Sequence, residues 1–371
     1  MTDLQGQRIV SQLDPDGTLT VSLEDFTLPA PEGRQVVIRV EATPINPSDL
    51  GLLFGPADIA NAEFSPGRIV ARMPDPAVRA MAARHGAAMP VGNEGAGTVV
   101  AAGEAPEAQA LLGKRVTCFP GGMYSTLAVA DAGMCLELAD GVTAEQGASA
   151  FVNPLTALSF TETMRHLGHS ALVHTASASN LGQMLVKICQ ADGIPLVNIV
   201  RNDAQVAILK GIGAEHVVDS SKESFLNDLA AAIGATKATM AFDAIGGGKL
   251  VSQILTVMEQ VANSGAAYSR YGSNSPKHAF IYGALDLSPT VLTRNFGFSW
   301  DVSGWLLTPW MGKLGAEAVD RMRRRVMAEL TTTFASNYKA RVTLEQALTR
   351  EAAVDYNARR TGEKYLITPN G

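Results

Sequence analysis

Residues 171–219 constrain the fold of this 371-residue chain more than any other stretch. They begin with a short apolar run at 171–173, and a loop of small residues follows at 175–182. A helical pattern with one apolar face comes next, and further apolar runs occupy 195–200 and 216–219. Short apolar runs that alternate with helical patterns are typical of parallel strands joined by crossover helices. The order predicts a βαβ unit of the kind that binds dinucleotides.

The loop at 175–182 has the features of a phosphate-binding turn. A helix N-terminus carries unpaired N–H groups and the positive end of the helix dipole, so a pyrophosphate binds there favourably. Small residues let the phosphates approach the backbone, and here Ala176, Ser179 and Gly182 stand where such turns usually have three glycines. The alternative is an ordinary βαβ crossover with a serine-rich turn. The position after a strand and before a helix favours the cofactor site.

The end of the second predicted strand indicates which cofactor is bound. An acidic residue there binds the ribose of NAD, whereas an arginine accommodates a 2′-phosphate. The chain has Arg201, Asn202 and Asp203 at this point. The planar guanidinium of Arg201 suits a phosphate dianion, while Asp203 falls in the first turn of the next helix. Arg201 could instead be a solvated surface charge. Its location predicts NADPH.

Composition excludes several classes of protein. With 46% hydrophobic and 18% charged residues, the chain reads as a globular protein long enough for two domains. A net charge of −6 argues against a nucleic-acid partner.

The three cysteines are scattered, so no disulfide framework is expected. The N-terminus lacks the pattern of a signal peptide, and no run approaches the ~18 apolar residues of a membrane span. We expect no membrane partner and a cytoplasmic protein.

The rest of the chain predicts two domains. Before residue 143, many short strands with Gly and Pro turns indicate a partly open barrel. This β-rich region is interrupted at 56–90 by a less regular stretch, which we interpret as an inserted surface or lid segment with a helical patch at 76–85. After 219 the alternation continues, with strands expected at 239–243, 279–283 and 296–300 and a helix at 316–334. The tail is expected to return to the first domain with strands at 339–342 and 363–367.

The predicted fold class is therefore α/β: a β-rich domain joined to a doubly wound parallel sheet. The β-rich domain is expected to be discontinuous, over 1–157 and 335–371, with the insertion at 56–90. The nucleotide-binding domain is expected over 158–334.

Several motifs resemble those of the medium-chain dehydrogenase/reductase superfamily, in its zinc-free quinone oxidoreductase and 2-enoyl thioester reductase branches. They follow the family's order along nearly the whole chain. They are Asn-Pro-Ser-Asp at 46–49, Gly-Asn-Glu-Gly-Ala-Gly at 92–97, Asn-Pro-Leu-Thr-Ala at 153–157, the βαβ unit, Tyr-Gly at 282–283 and Thr-Gly-Glu-Lys at 361–364. The resemblance implies a GroES-like domain and a Rossmann domain with the active site in the cleft between them. It also implies a homodimer or a tetramer.

The resemblance also implies a reaction without zinc. Zinc enzymes of this superfamily carry a cysteine near the position of Pro47 and a histidine in place of Asn93, and the chain has no cysteine before Cys118. The six histidines show no paired spacing, and zinc needs three or four N or S ligands. We expect no metal. Hydride transfer to a quinone or to the β-carbon of an enone or enoyl thioester needs no metal ion.

The resemblance assigns roles to individual residues. Asn153 and Thr156 would contact the nicotinamide end of NADPH, and Arg201 and Asn202 the 2′-phosphate. The pyrophosphate would be lined by Ser177, Ser179, Asn180, Leu181 and Gly182. The residues that would close over the cofactor are Ile245, Tyr282, Gly283, Phe298, Trp300 and Lys364. For Phe298 and Trp300 the alternative is an edge strand that packs in the core.

One departure from the family pattern bears on the substrate. Enoyl thioester reductases carry a tyrosine shortly after the Asn-Pro-x-Asp motif, and here that stretch is Leu-Phe-Gly-Pro at 53–56. This favours a quinone or a small enone, with an enoyl thioester as the alternative. A reshaped substrate mouth is expected from the insertion. Tyr124 and Asn46 are the candidate catalytic residues, although a tyrosine in such a strand can be structural. A third hypothesis is an NADPH-binding sensor or structural protein with little catalysis.

Overall fold

The computed structural model describes residues 3–361 and 364–371. It divides the chain into two units, Met1–Val152 with Glu329–Gly371, and Asn153–Ala328. These boundaries lie five and six residues before those expected from the sequence. Gly362 and Glu363 of the closing motif fall outside the described residues. Within the described part of the chain, no helix has the length and apolarity to cross a membrane.

The elements of the first unit before residue 150 are mostly strands. The strands are β1 (Leu4–Leu13), β2 (Thr18–Leu28), β3 (Gln35–Pro44), β4 (Glu63–Ser65), β5 (Arg68–Arg72), β6 (Met89–Pro90), β7 (Gly95–Ala102), β8 (Arg115–Cys118), β9 (Leu127–Asp131) and β10 (Cys135–Glu137). The helices are short: α1 (Leu50–Leu53), α2 (Asp75–Ala80), α3 (Pro106–Gln109) and α4 (Ala144–Gly147).

The second unit alternates strands and helices. Its strands are β11 (Leu172–His174), β12 (Leu196–Val200), β13 (His216–Asp219), β14 (Met240–Asp243), β15 (Gly246–Gly248), β16 (Lys277–Ile281), β17 (Asp286–Thr290) and β18 (Trp300–Gly304). Its helices are α5 (Val152–His166), α6 (Asn180–Asp192), α7 (Asp203–Gly211), α8 (Phe225–Thr236), α9 (Leu250–Asn263), α10 (Leu307–Leu314) and α11 (Ala316–Ala328). The first unit is then completed by β19 (Ala340–Val342), α12 (Leu344–Ala347), α13 (Arg350–Asn357) and β20 (Tyr365–Ile367).

Two sheets build the first unit. One has five strands in the order β4-β5-β2-β1-β6, and the other has seven, in the order β10-β8-β7-β3-β20-β19 with β9 paired to β3. The C-terminal tail returns to this unit as expected, since Leu366 pairs antiparallel with Pro44. Apolar side chains from β1, β2 and α13, such as Ile9, Leu19 and Ala353, meet in one buried cluster. The GroES-like, β-rich half of the predicted fold is confirmed.

The insertion at 56–90 is not a surface addition. Its strands β4 and β5 extend the five-stranded sheet through pairing of β5 with β2. Ala57, Ile59 and Ile69 are buried in the same cluster as residues of α12 and α13, and Arg350 of α13 donates hydrogen bonds to the carbonyls of Ala60 and Ala62, both at 2.7 Å. The segment therefore belongs to the core of this unit. Its helical patch is present as α2 and a following 3-10 turn.

The second unit is a doubly wound parallel sheet, as predicted. Its strand order is β13-β12-β11-β14-β16-β18, and every adjacent pair is parallel. All residues of β12 and β14 are buried, as expected for strands covered by helices on both faces. The predicted strand at 216–219 is present as β13, but the strand predicted at 296–300 is wrong. The edge strand β18 begins only at Trp300.

Candidate active site

The carboxyl ends of β11 and β14 form the point where the strand order reverses, which is where doubly wound sheets bind ligands. Thr175 follows β11, and its hydroxyl donates to the Asp243 carboxylate at 2.7 Å. The same Thr175 oxygen accepts from the amide of Ala244 at 2.8 Å. The remaining Asp243 oxygen accepts from the amide of Gly246 at 2.7 Å. Both side chains are buried, so this network fixes the two strand ends to each other.

The turn after β11 is shaped for a close approach to the α6 N-terminus. Ala176 has φ of 51°, which is uncommon for a residue with a side chain. At Gly182, a Cβ atom would come 2.1 Å from the carbonyl oxygen of Ser177, so no larger residue fits. Ser179 is the N-cap of α6, and its hydroxyl accepts from the Gly182 amide at 3.1 Å. Asn180 and Leu181 are the first two residues of the helix, as the predicted phosphate turn requires.

Ser177 and Tyr282 meet at His174, a residue that the sequence analysis did not single out. Tyr282 follows β16, and its hydroxyl lies 2.8 Å from Nε2 of His174. Ser177 donates to the carbonyl of His174 at 2.6 Å and lies 3.4 Å from its Nδ1. Complete burial lowers the pKa of His174 to about 3, so the ring is neutral and its Nε2 can accept a hydrogen bond from the tyrosine hydroxyl. The three side chains tie the turn to the end of β16.

Arg201 follows β12 directly and is exposed. Its amide donates to Oε1 of Gln205 at 3.1 Å. Asn202 is the N-cap of α7, where its side chain accepts from the Gln205 amide at 2.9 Å. Asp203 pairs with Lys222 at 3.0 Å, so its carboxylate is already partly neutralised. A cationic side chain therefore extends from the carboxyl edge of the sheet beside a helix N-terminus.

The other predicted cofactor contacts of this unit lie either at the start of α5 or at the carboxyl edge of the sheet. Asn153 and Thr156 lie buried in the first turns of α5. Ile245 follows β14 at the carboxyl edge, and Gly283 follows Tyr282 there. At Gly283 a Cβ would come 2.5 Å from the carbonyl oxygen of Ala244, so β14 and β16 also end in close contact.

Phe298 and Trp300 are not brought to this edge. Trp300 pairs with Lys277, the first residue of β16, which places it at the amino ends of the parallel strands. Its ring packs against Phe296 with centroids 5.1 Å apart and lies beside the apolar core. Phe298 precedes it and is 64% exposed. Trp300 therefore matches the packing alternative, at the edge opposite Tyr282, whereas Phe298 is exposed and lies before the strand.

A buried carboxylate organises the candidate residues of the first unit. The Asp49 carboxylate accepts from the amides of Asn46 and Asn93 at 2.7 and 3.0 Å and from the hydroxyl of Tyr124 at 3.0 Å. Asp49 is the N-cap residue of α1, but its side chain makes no capping bond to that helix. Burial raises the pKa of Asp49 to about 7. Tyr124 is completely buried, and a Cβ on Gly92 would lie 2.3 Å from its ring.

A second buried carboxylate, Glu94, holds Asn46. Nδ2 of Asn46 donates to Oε1 of Glu94 at 2.8 Å. Oε2 accepts from the amides of Phe151 and Val152 at 2.8 and 2.9 Å. Burial raises the pKa of Glu94. Oδ1 of Asn46 is also buried, and it has no hydrogen-bond partner among the described residues. Because buried polar atoms usually have a hydrogen-bond partner, Oδ1 of Asn46 is a candidate contact for a bound group.

Lys364 lies at the end of a short hydrogen-bonded chain. Its ammonium donates to Oγ of Ser149 at 2.7 Å, and that oxygen lies 2.8 Å from the hydroxyl of Tyr338. Burial lowers the pKa of Lys364 to about 8, although the negative charges of Glu94 and Asp49 act in the opposite direction. Lys364 therefore belongs to the same electrostatic cluster as the two carboxylates.

The sequence analysis did not identify seven residues of these networks. They are Asp49 as a hydrogen-bond acceptor, Glu94, Ser149, His174, Thr175, Asp243 and Tyr338. Asp243 had a usable signal, because it ends a predicted strand ahead of a glycine run. Ser149 and Tyr338 are 189 positions apart, and no local pattern links them. Over residues 3–361 and 364–371, no group of three or more His, Cys, Asp and Glu side chains has the geometry of a metal site.

Comparisons with known proteins agree with these features. Residues 181–266 match the family model described as zinc-binding dehydrogenase. The mitochondrial enoyl-[acyl-carrier-protein] reductase of Caenorhabditis elegans is 26% identical over 298 residues, which is 76% of this chain and 75% of that protein. The corresponding enzyme of Bos taurus is 27% identical over 226 residues, 58% of this chain and 54% of its own. The chain thus spans about half the length of the bovine relative.

Solved structures extend the similarity to the whole chain. A candidate NADPH:quinone reductase from Mesorhizobium loti is 27% identical, with a TM-score of 0.75 and complete coverage of both chains. Etr1p, solved with NADP and crotonyl-CoA, has the same fold at 18% identity, with a TM-score of 0.68 over 98% of this chain and 100% of its own. In motif order and in the architecture of each unit, the chain is thus similar to the quinone oxidoreductases and enoyl thioester reductases of the medium-chain dehydrogenase/reductase superfamily.

Proposed function

We propose that the protein is an NADPH-dependent reductase that transfers a hydride to a quinone or an α,β-unsaturated carbonyl compound. The observation that carries the proposal is the phosphate turn at the strand reversal, where Gly182 admits no side chain and Ser179 caps α6. Relatives with the same fold support it: one is described as an NADPH:quinone reductase, and another was solved with NADP.

The residues of the second unit would bind and orient NADPH. The N-terminal turn of α6 favours a diphosphate because the helix dipole is positive there. Arg201 can donate two parallel hydrogen bonds to a 2′-phosphate. Asn153, Thr156, Ile245 and Tyr282 remain our candidate contacts to the rest of the cofactor. Bound NADPH would supply the hydride, and a fixed orientation of the two reactants lowers the barrier to its transfer.

In the first unit we assign the unpaired Oδ1 of Asn46 to a donor group of the cofactor or the substrate. A buried acceptor without a partner costs about 1–3 kcal/mol, so a ribose hydroxyl or an amide N–H would bind there favourably. Tyr124 was a candidate proton donor. Its burial and its bond to Asp49 support a positioning role for it, because it holds the Asn46–Asp49 turn. Lys364 remains our candidate cofactor contact in this unit.

An acceptor panel tests the proposal. Purified protein is mixed with NADPH and a series of quinones, small enones and enoyl thioesters, and the loss of reduced-nicotinamide absorbance is followed. We expect quinones or enones to be reduced, and NADPH to be used in preference to NADH. Thermal stabilisation by NADPH without turnover of any acceptor would instead select a sensor or structural protein.

The enoyl thioester alternative is favoured by a specific observation: the curated relatives in both worm and cattle are enoyl-[acyl-carrier-protein] reductases. The missing tyrosine argues against this alternative: residues 53–56 contain none, and the aromatic residue in that stretch, Phe54, is completely buried. Crotonyl thioesters reduced faster than the corresponding free enones would establish this alternative.

We further propose that turnover needs no zinc, because Pro47 and Asn93 replace the usual ligands. Activity that survives exhaustive chelation, with no stoichiometric zinc in the purified protein, is the expected result.

We also propose a homodimer in the cytoplasm. The edge strand β18 pairs with β16 alone among the described strands, and its free edge suits pairing with a second copy. Light scattering of the purified protein tests the dimer.

A further inference from the structure

Cys118 and Cys135 lie directly opposite each other on neighbouring strands. Cys118 ends β8, Cys135 begins β10, and the two strands pair antiparallel with these residues in register. Residues paired in this way project to the same face of the sheet. Both side chains belong to one buried cluster with Val116 and Met123. The two cysteines therefore lie side by side on one face of the sheet, although no short sequence motif links them.

The backbone places this pair at the closer of the two antiparallel spacings. The amide of Leu138 donates to the carbonyl of Arg115 at 2.9 Å. These two residues are opposite each other just past the end of β10, and they form a hydrogen-bonded pair. Hydrogen-bonded and non-hydrogen-bonded pairs alternate along antiparallel strands. Cys118 and Cys135 consequently form a non-hydrogen-bonded pair, for which Cα atoms are about 4.5 Å apart. That spacing lies within the range of about 4.4–6.8 Å found for disulfides.

The two thiols differ in reactivity. In the structure, Sγ of Cys118 lies 3.9 Å from both the Gly95 carbonyl oxygen and Sδ of Met123, and Sγ of Cys135 donates to the Asp131 carbonyl at 3.6 Å. The neighbouring thiol lowers the pKa of Cys135 and, together with burial, raises the pKa of Cys118. Since the thiolate is the reactive form, Cys135 is the better nucleophile. Cys135 also lies on the edge strand of the seven-stranded sheet and retains 9% exposure, whereas Cys118 is completely buried. Of the two buried thiols, Cys135 is therefore the one that an oxidant from solvent reaches first, and Cys118 stands beside it in the place of a resolving thiol.

We propose that Cys118 and Cys135 are an oxidation site that closes to a cross-strand disulfide when a peroxide reaches Cys135. The Cys135 thiolate attacks one peroxide oxygen, the O–O bond breaks, and Cys135 becomes a sulfenic acid as the other oxygen leaves as water. The Cys118 thiol then attacks that sulfur. The S–O bond breaks, the S–S bond forms and a second water leaves. Two thiols and one hydrogen peroxide thus give one disulfide and two waters.

Peptide mapping of the wild-type chain tests the proposal without any substitution. The folded protein is treated with hydrogen peroxide, then denatured, alkylated and digested. We expect the loss of two of its three titratable thiols, an intact mass lower by two hydrogens, and a peptide that joins Cys118 to Cys135. Addition of a dithiol reductant should restore both thiols. Oxidation of Cys135 to sulfinic acid with Cys118 still reduced, or three unreacted thiols, would overturn the proposal.

Two variants separate the roles of the thiols. In Cys118→Ser, the sulfenic acid on Cys135 has no partner, so a dimedone adduct should appear there. Cys189→Ser is the matched control, because Cys189 is a buried cysteine of α6 in the other unit; its peroxide-treated form should contain the same disulfide as the wild type. Absence of a dimedone adduct on Cys135 in Cys118→Ser, with an adduct on Cys118 in the reciprocal variant Cys135→Ser, would contradict the assigned order of attack. The measurements need neither cofactor nor substrate, so they are independent of the proposed function.

Discussion

The hydroxyl of Tyr124 donates to the carboxylate of Asp49 across 3.0 Å, and both side chains are buried in the β-rich unit. The two residues are 75 positions apart in the chain. The Asp49 carboxylate also accepts hydrogen bonds from the backbone amides of Asn46 and Asn93. One carboxylate therefore connects the motifs at 46–49 and 92–97 to the segment around Tyr124. Motifs that are distant in the sequence are thus held together by a single buried acid.

Tyr124→Phe is expected to lower the free energy of unfolding by about 1–3 kcal/mol, because it removes a hydrogen bond to a buried carboxylate. Denaturant titration of the two proteins measures the difference. Tyr271→Phe is the control, since Tyr271 is 69% exposed, and it should be neutral. Equal midpoints and slopes for Tyr124→Phe and wild type would show that the bond contributes nothing.

Asp49 should also make stability depend on pH. Its folded pKa of about 7 lies above the unfolded value of about 3.9, so the native state binds more protons between these values. Its contribution to stability is present below pH ~4 and is lost as the pH rises through about 7. Asp49→Asn should remove part of this downward slope of the unfolding free energy.

Other titratable residues also affect how the free energy of unfolding depends on pH. Glu94, with its raised pKa, contributes a slope of the same sign. His169 and His174, whose pKa values burial lowers to about 4 and 3, contribute the opposite sign. The difference between wild type and variant isolates Asp49. Parallel curves for the two proteins would show that folding does not change the pKa of Asp49.

Gly182→Ala should destabilise the protein by about 1–3 kcal/mol, the usual cost of overpacking, and should weaken NADPH binding. The added methyl would meet the Ser177 carbonyl and force the phosphate turn apart. Gly234→Ala is the matched control, because Gly234 lies in α8 with nothing within 4 Å of a Cβ. It should stabilise the helix by up to about 1 kcal/mol. If both variants bind NADPH as the wild type does, the turn is not the phosphate site.

Arg201→Ala should raise the Kd for NADPH by about 10- to 100-fold, the equivalent of losing a charged hydrogen-bonded contact of about 1.5–3 kcal/mol. The Kd for NADH should change little, because NADH lacks the 2′-phosphate. Calorimetric titration with both cofactors measures this. Arg79→Ala, at an exposed arginine of α2, should leave both values unchanged. Equal weakening of NADPH and NADH by Arg201→Ala would refute the phosphate contact.

The sequence predicted the parallel sheet well because its strands are short apolar runs with helices between them. His216–Asp219 is a strand where the pattern placed one. At 296–300 the same reasoning was wrong, since Phe296 is completely buried but lies outside any strand. An apolar residue indicates that a position is buried, but a buried residue need not lie in a strand. The segment at 56–90 was misread for the opposite reason: its strands are only three and five residues long, too short to show an alternating pattern.

The polar networks were less predictable than the sheet. The proposed phosphate turn is local, so Ser179 and Gly182 could be singled out from residues a few positions apart. For Asp49 the local pattern is misleading, because an aspartate just before a helix is usually a cap. Its observed partners Asn93 and Tyr124 are 44 and 75 positions away. Contacts of that range depend on how the sheets pack, which a local pattern does not encode.

Isotope transfer tests the central claim most directly. NADPH carrying deuterium at the transferred position of the nicotinamide ring is incubated with the protein and an enone, and the product is examined by NMR. We predict one deuterium at the β-carbon of the saturated product, in an amount equal to the NADPH consumed and unchanged by a zinc chelator. NADPH consumption without deuterium in the product, or turnover that is abolished by the chelator and restored by zinc, would contradict metal-free hydride transfer.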